Sequence, residues 1–180
     1  MNKELAFLDL SPKTTFTKTW QGNCFGCSPH NEHGLKLTFT HVPGYCYTNY
    51  KIPSEYCGFE TMSHGGIVAT LLDETAGWTI MTNRLKFAFT MEATIKYLKP
   101  VPLNTNLIVV GQIESEQGQN IFMRSSILLE NGLLLAEMKS KWFSPTQEQA
   151  MKITGRDPHY LEKYAGDAFS EIKKALGVIE

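Results

Sequence analysis

Apolar and polar positions change their period several times along this chain. Leu35, Leu37 and Phe39 alternate with polar residues, and Pro43-Gly44 separates them from a second β-prone run, so residues 35–41 and 45–52 are expected to form a hairpin. From Gly65 to about Asn83 the residues are apolar almost all round a helical projection, which predicts a long helix enclosed by protein on most sides. Three or four strands are expected to follow, at about 87–98, 106–116, 120–130 and 133–144. They are separated by Pro100-Val101-Pro102, Gln117-Gly118 and Asn131-Gly132, the last a strong two-residue hairpin signal. A meander of antiparallel strands after one buried helix reads as α+β. Pro145 ends the last strand, and beyond Pro158 the residues Leu161, Tyr164, Ala165, Ala168, Ile172 and Leu176 recur at helical spacing, predicting an appended amphipathic helix. The chain is thus expected to divide into an N-terminal segment (1–20), a main domain (21–144) and a C-terminal extension (145–180). The extension is expected to cover its own sheet or a neighbouring subunit.

The helix start carries the densest chemistry. Ser63 is a candidate cap, and the N–H groups around Gly65 and Gly66 would aim the positive end of the helix dipole at an incoming oxygen. On the helical period Gly66, Ala69, Thr70, Asp73, Ala76, Gly77 and Ile80 share one face, most of it Gly or Ala, which admits a close neighbour. A carboxylate at Asp73 would be partly dehydrated there. Glu74 lies about 100° further round the helix, which makes Asp73 the favoured base. The alternative is that the glycines only turn the chain and Asp73 is an ordinary polar residue.

Taken with its surroundings, the segment resembles the signature of the hotdog-fold thioesterases, in particular the acyl-CoA thioesterases of the phenylacetic-acid-degradation (PaaI-like) branch. In that branch His-Gly-Gly is followed by an aspartate nine positions after the histidine, here His64 and Asp73. Cys24-Phe25-Gly26-Cys27 with Gly34-Leu35-Lys36-Leu37, Thr90 to Tyr97 with Pro100-Val101-Pro102, and Leu135-Ala136-Glu137 agree in order. The resemblance implies an antiparallel sheet wrapped around a long central helix. It also implies hydrolysis of a small, medium or aryl acyl-CoA to the free acid and coenzyme A. The implied catalytic set is Asp73 as general base or nucleophile, the Gly65 N–H as oxyanion donor, Thr90 positioning the attacking water, and His64 orienting the helix start or contacting the thioester. Gly66, Glu74, Phe59 and Trp78 are the expected substrate contacts, with Ile80 and Met81 beside them. Some relatives carry an Asn six residues before the histidine as a second carbonyl donor, whereas this chain has Gly58.

In that family the Ser or Thr at the position of Thr90 comes from the opposite subunit, so a homodimer or a homotetramer built as a dimer of dimers, with shared active sites, is expected. No cofactor is required, because a thiolate leaves readily from an acyl carbon. Arg84, Lys86, Lys96, Lys99 and Lys141 are candidates for the phosphates of coenzyme A. A non-catalytic acyl-CoA-binding hotdog is the alternative function, and Asp73 discriminates against it. Hydratase and dehydratase hotdogs fit the His64 to Asp73 arrangement less well.

Charge and cysteine content narrow the classes further. A formal net charge of −1 gives no global basic field for nucleic acid or an anionic membrane, and neither partner is expected. Residues 1–10 hold Lys3, Glu4 and Asp9 and lack the apolar core of a secretion signal, and no apolar run is long enough for a transmembrane helix. A cytoplasmic protein with reduced thiols is the expectation. Cys24, Cys27, His30 and His33 have residue types that suit zinc, but their spacing departs from the usual pairs, and the resemblance favours a packed loop without metal.

Overall fold

The computed structural model describes residues 3–16 and 22–178, with side chains for all of these except 158 and 160–167. The expected boundary between residues 20 and 21 lies outside the described residues, as do the side chains of Leu161, Tyr164 and Ala165. In chain order the regular elements are β1 (Thr14–Phe16), β2 (Phe39–Val42), β3 (Tyr45–Lys51), β4 (Cys57–Phe59), β5 (Met62–Ser63), α1 (Gly65–Arg84), β6 (Phe89–Tyr97), β7 (Asn106–Gln117), β8 (Asn120–Leu129), β9 (Leu134–Phe143), α2 (Gln147–Thr154) and α3 (Pro158–Ala175). Strands β4 and β5 form a separate two-stranded ribbon, and the other seven build one antiparallel sheet in the order β1-β2-β3-β7-β8-β9-β6.

That order corrects the expected meander. The strand after the helix, β6, does not lie beside β7. It crosses to the far edge and pairs with β9, Ile95 opposite Met138. The turns elsewhere follow the sequence signals: Gly44 and Gly132 adopt φ of 82° and 83°, which a Cβ would oppose. The first predicted strand is also shortened. Leu35 and Leu37 are buried as expected, but the chain pairs only from Phe39 onward, so alternation there reports burial without a ladder.

Helix α1 is the axis of the core. Leu71, Leu72 and Ile80 are wholly buried with Leu107 and Val109 of β7, Ile121, Met123 and Ile127 of β8 and Met138 of β9. Burying such side chains contributes roughly 1.5–3 kcal/mol each, which explains why a helix with apolar residues on most sides is enclosed. Helix and sheet approach closely at Gly111, where a Cβ would stand 2.3 Å from Thr79 Oγ1 and 3.0 Å from the Thr75 carbonyl oxygen. The stripe of small residues expected to admit the neighbour is packed only in part: Ala76 and Ile80 are buried, while Ala69, Thr70, Asp73 and Gly77 stay half-buried and Gly66 is exposed.

Two additions escaped the periodicity. Residues 3–9 form a 3-10 helix whose Phe7 joins Val42, Tyr47 and Ile108 in a second, smaller core, and α2 is closed by a capping box between Thr146 and Gln149. Helix α3 covers its own chain: Ile172 is buried in the main core, and the Phe169 ring packs on Phe87 with centroids 4.7 Å apart. Among the described residues no helix is long and apolar enough to cross a membrane.

Candidate active site

The β4–β5 ribbon delivers the chain to the start of α1. His64, not Ser63, caps the helix: it has extended backbone angles, and its Nδ1 accepts a hydrogen bond from the Gly66 N–H at 3.0 Å. The imidazole acts where a Ser or Asp oxygen usually does. The Ser63 hydroxyl instead donates to the His64 carbonyl oxygen at 3.3 Å. A Cβ at residue 66 would sit 3.0 Å from the capping nitrogen, so any larger residue would push the imidazole back from the N–H it caps. With Gly66 occupied and the Ile67 and Val68 N–H groups turned to the His64 carbonyl oxygen, the Gly65 N–H is the first-turn donor without a protein acceptor among the described residues. The Tyr97 hydroxyl, reaching across from β6, donates to the Gly65 carbonyl oxygen at 3.1 Å and holds the peptide from the other side. Nothing in the spacing signalled that contact.

The departure at Gly58 has a steric cause. A Cβ on residue 58 would lie 2.8 Å from His64 Cα and 3.2 Å from its backbone nitrogen. This ribbon therefore packs too closely on the cap for an asparagine to present its amide.

Two turns along α1, Asp73 is half-buried and its carboxyl pKa is pushed up by desolvation, an effect opposed by a hydrogen bond from Thr90. That bond is short, 2.7 Å from Thr90 Oγ1 to Asp73 Oδ1, and it lies within one chain. This corrects the expected sharing, in which Thr90 would reach Asp73's site from the opposite subunit. Eight residues separate Gly65 from Asp73, about 12 Å along a helix, so the donor and the carboxylate of one chain do not meet at one carbonyl group.

The environment of Glu74 also differs from expectation. It turns to the Cys24–Cys27 loop instead of a substrate surface, and it is the more strongly perturbed carboxyl of the two, pushed up to about 8 by burial with Cys24 beside it. Cys24 Sγ and Glu74 Oε1 are 3.1 Å apart. Hydrogen bonds, from Cys27 first, outweigh desolvation and pull the Cys24 thiol down to about 5. Cys27, more deeply buried, is shifted upward through its contact with Cys24 and by desolvation. His30 and His33 are exposed and stand apart from this cluster. All four cysteines are free thiols.

A cleft of about 410 Å³ opens beside the helix start, lined by Phe59, Gly65, Val68, Tyr97 and Lys99 among others. Of the five candidate cations, Lys99 borders it, whereas Arg84 is engaged by Glu116. Trp78 does not line this cleft. The residue is 4% exposed, and its ring stacks on Phe39 with centroids 4.9 Å apart and meets Phe16 in a tilted contact at 5.8 Å. Ile80 and Met81 are likewise core residues.

The family model described as the thioesterase superfamily matches residues 62–136, the stretch that runs from the cap through α1, Asp73 and Thr90 into β9. Over that stretch, which is less than half of the chain, the sequence is similar to this superfamily. Among curated proteins, the rat acyl-coenzyme A thioesterase THEM4 is 31% identical over 70 residues, a match covering 39% of this chain and 30% of that protein. The chain therefore spans less than a third of the length of the curated relatives it matches. The sheet wrapped around α1 is the hotdog fold, shared with solved thioesterase-superfamily structures. They include the Escherichia coli PaaI protein from the phenylacetic acid degradation operon (TM-score 0.58, 16% identity, 62% of this chain and 81% of that one). A hypothetical thioesterase from Streptococcus pneumoniae, solved with coenzyme A, has a TM-score of 0.53 at 21% identity, covering 56% of this chain and 81% of that one.

Proposed function

We propose that this chain is an acyl-CoA thioesterase acting on small, medium or aryl acyl groups, as a homodimer or a dimer of dimers in which each site is assembled from two subunits. The observation that carries the reading is the Asp73–Thr90 pair: a carboxylate made more basic by desolvation and held at 2.7 Å by a hydroxyl group. A protein that only binds acyl-CoA has no use for a dehydrated carboxylate near an electron-rich thioester.

In this reading Asp73 takes a proton from a water molecule that Thr90 positions, and the hydroxide attacks the acyl carbon. The oxyanion that forms is met by the Gly65 N–H, an interaction worth a few kcal/mol in comparable sites. The coenzyme A thiolate then leaves without needing a strong acid. Direct attack by Asp73 to give an anhydride is the variant of this mechanism, separable by trapping or by oxygen-18 incorporation into the carboxyl.

The roughly 12 Å between Gly65 and Asp73 is reconciled if the oxyanion donor of one subunit faces the Asp73–Thr90 pair of its partner. Supporting a second subunit, β6 ends the sheet with its outer edge unpaired among the described residues. On and beside this strand Met91, Tyr97 and Leu98 are 64%, 54% and 51% exposed. An open edge bearing apolar side chains is a surface that another strand would cover. Coenzyme A is the thiol carrier suggested by the Streptococcus pneumoniae structure and by the similarity to the rat acyl-coenzyme A thioesterase. Lys99, at the cleft rim, is the candidate phosphate contact. A cytoplasmic location fits a coenzyme A substrate and free thiols.

The test is an assay of purified protein against a panel of acyl-CoAs with detection of the released thiol. Turnover that Asp73→Asn removes supports the enzyme. Tight binding of acyl-CoA with no thiol release would establish the non-catalytic binder.

A further inference from the structure

The hydrolytic reading leaves one cluster unused. Cys24 and Cys27 from the loop before β2, and Glu74 from α1, bring two thiol sulfurs and a carboxylate oxygen within 4.8 Å of one another. We propose that Cys24, Cys27 and Glu74 form a binding site for one thiolate-preferring divalent cation, of which Zn2+ is the fitting ion.

The separations are those of a site that needs only a small adjustment, the sulfurs drawing together and the carboxylate oxygen moving slightly away from Cys24. In tetrahedral zinc coordination with Zn–S bonds near 2.3 Å, two sulfur ligands stand about 3.8 Å apart, and a sulfur and an oxygen ligand somewhat less. The Cys24 Sγ to Glu74 Oε1 distance is already 3.1 Å. The loop is shaped around these atoms. The Gly26 N–H donates to Cys24 Sγ at 3.3 Å, an outer-shell bond of the kind that stabilises a ligating thiolate. A Cβ on Gly26 would lie 2.2 Å from Glu74 Cγ, so a side chain there would prevent the loop from closing over the carboxylate.

Among the described residues no Lys, Arg or His forms an ion pair with Glu74, so no basic side chain competes with a cation for its carboxyl. The donor set identifies the class of ion. Two thiolates with one carboxylate suit zinc and exclude magnesium and calcium, which take oxygen ligands. Three protein ligands leave a fourth position for water. This set differs from the four residues whose types suit zinc in the sequence, because Glu74 stands in place of His30 and His33. Once bound, the ion would pin the Cys24–Cys27 loop to α1 one residue from Asp73, a clamp on the helix and no participant in hydrolysis.

The experiment titrates Co2+ into the full-length chain carrying Cys57→Ser, which removes the exposed thiol, with a phosphine reductant present and folding followed by circular dichroism. The expected result is one Co2+ per chain with sulfur-to-cobalt charge-transfer absorption displaced by Zn2+. Cys27→Ser should reduce that absorption by about half, as expected for loss of one of two thiolates. Glu74→Gln should weaken the affinity by at least about 10-fold, and His30→Ala with His33→Ala should leave it unchanged. Zn2+ should also raise the unfolding temperature of the Cys57→Ser protein and not that of its Glu74→Gln variant, a comparison that stands even if the Cys27 variant does not fold. Absence of charge-transfer absorption in reduced, folded protein at millimolar Co2+ would overturn the proposal. So would retention of affinity in Glu74→Gln, or a loss in the histidine variant as large as that in Glu74→Gln.

Discussion

Thr90, on β6, donates its hydroxyl hydrogen to Asp73, on α1, across 2.7 Å within one chain. This makes the two residues one unit for any reaction they take part in. Asp73→Asn keeps the shape and removes the basic oxygen, so kcat should fall by about 10²–10⁴, the usual contribution of a positioned general base. Thr90→Val removes a hydrogen bond to a charged group, about 1.5 kcal/mol or more, and should cost about 10-fold. Glu74→Gln should alter kcat far less than either, since its carboxyl faces the Cys24 loop. If Glu74→Gln were the most damaging at equal stability, the base would have to be reassigned.

The same contact decides which mixed dimers recover activity. Asp73→Asn and Thr90→Ala damage the same half of a shared site, so mixing those subunits should restore nothing. Pairing Asp73→Asn with a helix-start variant such as Gly65→Val gives a heterodimer in which one site takes its Gly65 from the first subunit and its Asp73–Thr90 pair from the second. That mixture should regain up to half of the activity per site in the heterodimer fraction. Recovery with the first mixture and not the second would reverse the proposed division.

The pH profile follows from the direction of the Asp73 shift. Desolvation raises its pKa and Thr90 partly offsets this, so activity should rise with pH as Asp73 loses its proton, and Thr90→Val should move that limb to higher pH. Stability runs the opposite way. A carboxyl whose folded pKa is raised contributes stability that is fully present below the unfolded value and lost as pH rises through the folded one. Above that range Asp73→Asn should therefore be no less stable than the unmodified protein in denaturant unfolding, while inactive.

Much of the fold was legible because its signals are local. The apolar enclosure of α1, the Asn131-Gly132 hairpin and the four strand runs depend on neighbouring residues and appear at nearly the expected bounds. The position of β6 was not, because strand order is decided by which edges remain after β7, β8 and β9 pair. At the site, the sequence marked Asp73, Gly65 and Thr90 but mistook their grouping, since the Thr90 contact joins residues seventeen apart through the sheet. The Glu74 environment was hidden for the same reason: Cys24 lies fifty residues away. His64 was readable as a hydrogen-bonding residue, yet its displacement of Ser63 as the cap depends on the backbone angles that the β4–β5 ribbon imposes.

The cap itself can be tested. His64→Ala removes the acceptor for the Gly66 N–H, which should cost about 1 kcal/mol and lower the unfolding temperature by about 2–4 °C in a chain of this size. Because Gly65 sits next to the lost cap, kcat should fall as well, without a change in the pH at which Asp73 titrates. A shifted pH profile in His64→Ala would give the imidazole a proton-transfer role that the capping geometry does not support.

Trp78 separates a substrate contact from a core residue. Its ring is stacked on Phe39, tilted against Phe16 and nearly sealed from solvent, so Trp78→Ala leaves a cavity where the sequence had suggested the far end of an acyl pocket. Large-to-small changes of this kind cost about 3–5 kcal/mol, and the variant should be strongly destabilised in denaturant unfolding. Its relative activity toward short and long acyl-CoAs, measured where it remains folded, should not change. Phe59 is the contrasting case: it is 68% exposed and borders the cleft beside Gly65. Phe59→Ala should therefore leave stability within about 0.5 kcal/mol, as at most exposed positions, while altering the ratio of kcat/KM values across the acyl series. If Trp78→Ala extended the range toward long chains and Phe59→Ala did not, the acyl group would have to enter the protein beside Phe39, and the cleft at the helix start would not be its path.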